Sequence, residues 1–247
     1  FTLTLEVPRE HLAFANEPEV ASTEAGAAPG YKRVRFATTK PIPSYLLAFG
    51  VGPFSVLEDG RVGQRQVPLR FIAPQGRATD AAFAAEVTPR IVAALEAYFG
   101  QPYPYAKLDS MSLPMTATFG AMEHPGLITY ASRLLLAPAG ERTPQFERDY
   151  VSIAAHELAH QWFGNLVTMA WWDDLWLNES FASWMGDRIT DQVMPQWQWH
   201  TSTQRARTWA CARVARPPVS PTGTALSSRC VTSPMAARRA GSSSSAA

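Results

Sequence analysis

The chain has 247 residues, of which 46% are hydrophobic and 11% aromatic, enough apolar material for one substantial core or two smaller ones. Its formal charge is +1, but all 21 acidic residues and 15 of the 22 basic residues precede residue 205, so the body of the chain is acidic. We expect no nucleic-acid partner, because the body is acidic and the basic end has no interleaved aromatic residues. The sequence also contains no apolar run of about 18 residues that could span a membrane.

The first part of the chain, to about residue 75, has the alternation of polar and apolar residues that is typical of β-strands. Residues 2–7 alternate in this way, and residues 32–36 do so again after a loop rich in Gly, Pro and Ala. We predict an antiparallel sheet, and because a strand opens at the first residue we expect its earlier strands to belong to a longer parent chain. Residues 1–75 are thus predicted to be the C-terminal part of a β-sandwich-like N-terminal domain, with a small complete sandwich as the alternative.

A second domain is predicted over residues 76–204, and it opens with a helix. Thr79 and Asp80 can cap this helix, and Gly100 can end it. Between them, apolar residues recur at helical spacing at Phe83, Val87, Ile91, Leu95 and Tyr98. Residues 108–113 then alternate like a strand, and two further helices are predicted at about 147–163 and 175–191.

The motif H-E-x-x-H occurs at His156, Glu157 and His160, inside a run rich in Ala and Leu that favours a helix. Residues four apart lie on one helix face, so both imidazoles can reach the same point, with Glu157 beside them as the general base. Catalytic zinc usually takes three protein ligands, and the third candidate is Glu179 in the next predicted helix. The alternative reading, ordinary histidines and a solvated Glu179, does not explain why all these residues fall together in predicted helices. We therefore predict one zinc ion per chain.

Eighteen residues separate His160 from Glu179, and the motif G-A-M-E precedes them at residues 120–123. This arrangement resembles the aminopeptidase N (membrane alanyl aminopeptidase) family of zinc metallopeptidases, as do residues 102–105, 126–130 and 176–179. The resemblance covers most of the chain up to about residue 204. It implies an α+β fold, in which a partial N-terminal antiparallel β domain precedes a thermolysin-like zinc metallopeptidase catalytic domain.

The resemblance also implies a substrate and a reaction. It assigns substrate binding to Gly120, Ala121, Met122 and Glu123. Glu123 matches the family residue that recognises the α-ammonium group of the substrate, and a carboxylate near the metal sets a reach of one residue to the scissile bond. The expected partners are therefore peptides with a free N-terminus, whose first residue is removed by water that zinc and Glu157 activate.

His124 departs from the family pattern, which has Asn at this position. Its ring is bulkier than an amide and can become charged near neutral pH, which would place positive charge beside the ammonium site. The alternative is that only the backbone of the loop matters here. The preferred substrate is for this reason less well defined than the class of reaction.

From residue 205 onward the composition changes abruptly, with no Asp, Glu, Lys, Ile, Phe or Tyr. Such a segment cannot build a core, so residues 205–247 are predicted to form a disordered, low-complexity tail. We favour a reading-frame shift in the gene as its origin, with an ordinary disordered tail as the alternative. The family has a tyrosine well after the third ligand that stabilises the transition state, whereas no tyrosine follows Tyr150 here.

Three functions remain open from the sequence. The first is a zinc aminopeptidase, indicated by Glu123 and the spacing of the three metal ligands. The second is a catalytically impaired zinc-binding fragment of such an enzyme, indicated by the missing tyrosine and the truncated sheet. The third is an endopeptidase or a bifunctional hydrolase of lipid epoxides, which the zinc residues alone would also allow.

Overall fold

The structure is a computed structural model that describes residues 1–24, 26, 28–114 and 120–199. The predicted tail at residues 205–247 lies outside the described residues, as does the boundary predicted after residue 204. In the part of the chain that the structure describes, no helix is both long enough and apolar enough to cross a membrane.

Two small antiparallel sheets form the N-terminal part. One has the strand order β1 (Thr4–Pro8), β4 (Tyr31–Phe36), β3 (Glu19–Thr23), and the other pairs β2 (Leu12–Ala15) with β5 (Phe49–Gly52). In the first sheet Thr4 lies opposite Arg35, and Val34 and Phe36 of β4 are buried while Arg35 between them is exposed. The antiparallel strands expected near residues 2–7 and 32–36 are therefore present.

A mixed five-stranded sheet holds the remaining strands. Its order is β6 (Phe54–Val62), β7 (Val67–Pro74), β8 (Leu108–Leu113), β10 (Leu127–Ala131), β9 (Ala121–Met122). The three inner strands run parallel, and each edge strand is antiparallel to its neighbour. The domain boundary predicted after residue 75 falls after β7, and the sheet continues across it because β7 pairs with β8. That boundary stays a prediction.

The α-helices among the described residues are α1 (Ala82–Phe99), α2 (Ser132–Leu135), α3 (Pro144–His160) and α4 (Leu175–Val193). The main apolar core joins α1, α3 and α4 to the inner strands of the mixed sheet, which makes the fold α+β. Three of the periodic positions of α1, Val87, Ile91 and Leu95, are fully buried. Tyr98, in the last turn, is 41% exposed and lies against Trp184.

The predicted start of α1 is wrong. Residues 78–81 form a short 3-10 helix, the residue at the N-cap of α1 is Ala81, and no side chain caps the helix. Asp80 instead accepts a hydrogen bond from Arg77 at 2.8 Å, which occupies the carboxylate that was expected to cap. The predicted end is right, because Gly100 is the C-cap and has the left-handed conformation.

Helix α3 begins three residues before the predicted position 147 and ends at His160, not at 163. Its start follows from Thr143, whose hydroxyl accepts a hydrogen bond from the backbone N–H of Phe146 at 3.1 Å. Pro144 fits the first turn because its missing N–H has no helical partner to lose. The next helix, α4, begins at Leu175 as predicted and extends two residues past 191.

Candidate active site

Three predicted site residues lie on two facing helices. His156 and His160 are one turn apart at the end of α3, and Glu179 lies in the second turn of α4. The helices approach closely at Gly186, where an added Cβ would lie 3.2 Å from the backbone nitrogen of His156. Because Glu179 is two turns before Gly186 on the same face of α4, this close packing brings its carboxylate to the histidines.

The ligand atoms of these residues converge on one point. The two Nε2 atoms of His156 and His160 are 3.1 Å apart. Oε2 of Glu179 lies 3.3 Å from the Nε2 atom of His156 and 3.7 Å from that of His160. Atoms bound at about 2.1 Å to one tetrahedral zinc ion lie about 3.4 Å from each other, so the spacing fits such an ion.

The chemistry of this donor set also fits a metal ion. Within residues 1–24, 26, 28–114 and 120–199, it is the one group of three His, Cys, Asp or Glu side chains with its ligand atoms all within 4.8 Å of each other. Nδ1 of His160 is 3.3 Å from the carbonyl oxygen of Phe163. With its ring proton on Nδ1, His160 can donate to this carbonyl and keep the Nε2 lone pair for an ion. The neighbouring side chains of His156 and His160 hold the pKa of Glu179 well below its usual range, so the carboxylate is ionised.

Glu157 is only 4% exposed and lies in the same cavity as these three residues. Burial raises the pKa of its carboxyl well above the usual range, and the negative charges of Glu123 and Glu179 raise it further. A cation nearby acts in the opposite direction, because it favours the ionised form of a carboxyl group. The proton affinity of Glu157 thus responds to charge in the cavity, which suits a group that takes up and releases a proton.

Glu123 follows the edge strand β9 and is also only 4% exposed. Its carbonyl oxygen accepts hydrogen bonds from Nε2 of Gln161 at 2.8 Å and from Nδ2 of Asn165 at 2.7 Å. These two amides attach the loop that carries Glu123 to the end of α3 and the residues after it. Neither was predicted from the sequence; the position of Gln161 directly after the second histidine was an available signal, whereas Asn165 carried none.

The expectation that His124 becomes charged near neutral pH is wrong. Burial lowers the pKa of its ring, and the Glu123 carboxylate and a hydrogen bond to the backbone of Leu46 only partly oppose this effect. The ring is therefore neutral near pH 7 and adds no positive charge beside Glu123. A sequence pattern cannot show this environment, because Leu46, whose backbone bonds the ring, lies far from His124 in the chain.

All eight predicted site residues line one cavity of about 490 Å³. The remaining residues on its surface, which the sequence did not indicate, are Tyr45, Ile153, Trp172, Leu175 and Asn178. Four of these lie on or beside α3 and α4. Tyr45 lies in a short 3-10 helix (Ser44–Leu46) far from the others in sequence, so no local pattern could have pointed to it. The cavity therefore combines a triad suited to a metal, two further carboxylates and an apolar lining.

Comparison with protein families gives a match over the same region. The model of the peptidase family M1 domain matches residues 83–222, which is more than half of the chain. These residues include the whole predicted ligand set and the loop with Glu123. The match also extends past residue 204, where the resemblance was expected to end.

Curated relatives are similar over a longer stretch. Aminopeptidase M1-C of Oryza sativa subsp. japonica is 40% identical over 197 residues, which are 80% of this chain and 22% of that protein. Aminopeptidase N of Acetobacter pasteurianus is 40% identical over 185 residues, 75% of this chain and 51% of that protein. Glutamyl aminopeptidase of Bos taurus is 39% identical over 184 residues, 74% of this chain and 19% of that protein. The chain thus spans between about a fifth and a half of the length of these relatives.

Proposed function

Because the chain belongs to peptidase family M1, we propose that its cavity is the active site of a zinc-dependent aminopeptidase. The observation that carries this proposal is the convergence of His156, His160 and Glu179 in a cavity that also contains Glu157 and Glu123. The names of the relatives, all aminopeptidases, support it. We propose in addition that the helices and the mixed sheet have a thermolysin-like arrangement.

His156, His160 and Glu179 hold one zinc ion per chain in this proposal. Two imidazole nitrogens and one carboxylate oxygen form a common ligand set of catalytic zinc, which leaves a position open for a small molecule. When bound, the ion supplies Lewis-acid chemistry at the carbonyl of the scissile bond. The protein keeps the three ligands in place through the packing of α3 against α4 at Gly186.

Glu157 is the general base. It takes a proton from the attacking water molecule and passes it to the amine that leaves, so its carboxylate is regenerated in each cycle. Its burial matters for this role because a carboxylate withdrawn from solvent binds a proton more strongly than an exposed one. A positively charged ligand or ion in the cavity then returns its pKa toward the range in which it can act as a base.

Glu123 anchors the substrate. A carboxylate on a loop fixed by Gln161 and Asn165 can form a charge-assisted hydrogen bond with a free α-ammonium group. The backbone of β9 can align the substrate, since β9 pairs on one side with β10 and, among the described residues, has no strand on its other side. Together they place the first peptide bond near the triad, which limits cleavage to one residue.

The test compares two substrates that differ in one group. We expect the purified 247-residue chain to contain zinc and to hydrolyse L-leucine p-nitroanilide but not its N-acetyl derivative, because acetylation removes the charge that Glu123 binds. Equal hydrolysis of both compounds would contradict the aminopeptidase assignment and favour an endopeptidase.

A second candidate function is a catalytically impaired zinc-binding fragment of such an enzyme. It is favoured by the sequence after Glu179, which contains no tyrosine that could donate a hydrogen bond to the oxyanion. Loss of one such donor costs about 10²–10³ in rate. Full zinc occupancy with turnover several hundred times slower than that of the full-length relatives would support this second candidate.

A further inference from the structure

Tyr45 contributes the one side chain from before residue 120 that reaches the site cavity among the described residues. It is half-buried, and its ring lies 5.5 Å from the ring of Trp172, centroid to centroid, at an angle of 50°. Both rings also border a second, smaller cavity of about 160 Å³. The two aromatic side chains therefore form a partition that closes one side of the site cavity.

The position of Tyr45 is fixed by the buried side chain of Asn16. Its amide nitrogen donates to the carbonyl oxygens of Leu46 at 2.9 Å and of Pro125 at 3.0 Å, and its side-chain oxygen accepts from the backbone N–H of Ala48 at 2.8 Å. One amide thus connects the 3-10 helix that carries Tyr45 to the loop that follows Glu123. Leu46, the next residue, is fully buried and anchors the same helix in the interior.

A close backbone contact supports the same connection. A Cβ added to Gly126 would lie 2.3 Å from the carbonyl oxygen of Asn16, and Gly126 has a φ of +69°. Both facts require glycine at this position, because a side chain would clash there and would strain the backbone. The segment around Asn16 and the loop that follows Glu123 are consequently held together as one unit.

Tyr45 lines the same cavity as Glu123 and Glu179. Burial raises the pKa of Tyr45 to about 12, and the charges of both Glu123 and Glu179 contribute to the increase. The hydroxyl group is therefore protonated near neutral pH and lies in the field of both carboxylates. In the proposed function, one of these carboxylates binds the ammonium group and the other binds the metal, and the first residue of the substrate occupies the space between them.

We propose that Tyr45 is a substrate-contacting, specificity-determining residue, whose ring forms with Trp172 the wall that receives the side chain of the substrate's first residue. This inference rests on the proposed aminopeptidase function and adds a substrate class to it. The same cavity is lined by the apolar side chains of Met122, Ile153 and Leu175. An aromatic wall beside an apolar lining favours peptides that begin with a large apolar or aromatic residue.

The experiment measures binding, so that it does not depend on turnover. Dissociation constants of the hydroxamates of L-phenylalanine, L-leucine and L-alanine are measured by calorimetry with the zinc-containing chain. N-acetyl-L-leucine hydroxamate is included as the blocked probe. The variants are Tyr45→Ala, which removes the wall, Tyr45→Phe, which keeps the ring, and Tyr31→Ala, which removes an exposed tyrosine outside the cavity lining as a matched control. Zinc content and circular dichroism establish that each variant is folded.

We expect Tyr45→Ala to weaken binding of the phenylalanine and leucine probes about tenfold, since it removes an aromatic contact and much of the buried apolar area. Binding of the alanine probe should weaken less than about threefold, because its methyl group is too short to use the wall. Tyr45→Phe should retain the preference for large side chains, and Tyr31→Ala should match the wild type. Equal weakening of all three probes, or none, in a folded Tyr45→Ala variant would overturn the inference.

Failure of the proposed function gives a different result. If the wild type binds the leucine probe no better than its N-acetyl form, recognition of the ammonium group by Glu123 is wrong, whatever Tyr45 does. A side-chain-dependent loss in Tyr45→Ala would in that case still support Tyr45 as the wall of the cavity. A wild type that contains zinc but binds none of the probes would contradict both proposals.

Discussion

The site cavity has a helical wall, formed by α3 and α4, and a long-range wall, formed by Tyr45 and the loop that carries Glu123. The residues of these two walls are separated by very different distances along the chain. On the helical wall, His156, Glu157 and His160 lie within five consecutive residues, and Glu179 joins them through the packing of two neighbouring helices. On the other wall, hydrogen bonds from Asn16 and Gln161 join segments that are far apart in sequence.

This difference separates two kinds of function. The helical wall contains the groups that are proposed to bind the metal and move the proton, and its geometry follows from helical spacing. The long-range wall contains the groups that are proposed to recognise the substrate, and its geometry depends on buried amides. Changes on the first wall should therefore abolish the reaction, and changes on the second should alter substrate binding.

The largest effect is expected when the triad of the helical wall is broken. His156→Ala, His160→Ala and Glu179→Ala should each reduce the zinc content from one ion per chain to almost none, because a site with two protein ligands binds zinc far more weakly. Atomic absorption on the dialysed proteins measures this. His11→Ala, which changes a histidine outside the triad, is the control, and normal zinc content in any triad variant would contradict the assignment of that ligand.

Replacement of the proposed base should remove chemistry and keep the site. We expect Glu157→Gln to retain zinc and to lower kcat by about 10²–10⁴, with little change in KM, because only proton transfer is lost. Steady-state kinetics with L-leucine p-nitroanilide and metal analysis of the same sample separate the two effects. Glu141→Gln changes an exposed glutamate and should leave kcat unchanged. Loss of zinc in Glu157→Gln would show that this residue is a ligand.

The long-range wall can be weakened at Gln161. Gln161→Met keeps the approximate volume but removes one donor to the carbonyl oxygen of Glu123, which retains the donor from Asn165. We expect KM to rise about tenfold with a smaller change in kcat, and the free energy of unfolding to fall by about 1–3 kcal/mol, because buried polar groups lose a partner. Kinetics and urea denaturation measure these changes, with the exposed Gln192→Met as the control. An equal loss in kcat at constant KM would place Gln161 with the catalytic groups.

The smallest effect is expected at the contact between the two helices of the helical wall. In Gly186→Ala, the added methyl group would lie 3.2–3.3 Å from backbone atoms of His156, which lowers the stability of the fold by about 1–3 kcal/mol. The better helix propensity of alanine offsets about 1 kcal/mol of this loss. The net loss of stability should be small, but the displacement of α4 should weaken zinc affinity several-fold. Competition with a chelator measures this affinity. Ser183→Ala, an exposed position on α4, gains helix propensity without the contact and should leave zinc affinity unchanged.

Local periodicity explains what the sequence determined by itself. The apolar spacing of α1, the alternation of β8 and the motif at His156 to His160 are properties of a few consecutive residues, and helical or strand geometry converts them directly into structure. The start of α1 and both ends of α3 were harder to predict. Capping depends on single hydrogen bonds, and Asp80 binds Arg77 where a cap was expected.

The tertiary structure alone decided which side chains surround the site and in what environment. It placed Tyr45 in the cavity, Gln161 and Asn165 on the carbonyl oxygen of Glu123, and His124 in a partly buried position that keeps its ring neutral. Each of these facts depends on contacts between segments separated by tens of residues. Such contacts form because burial and hydrogen bonding of the whole chain favour them, and they leave no periodic signal in any one segment.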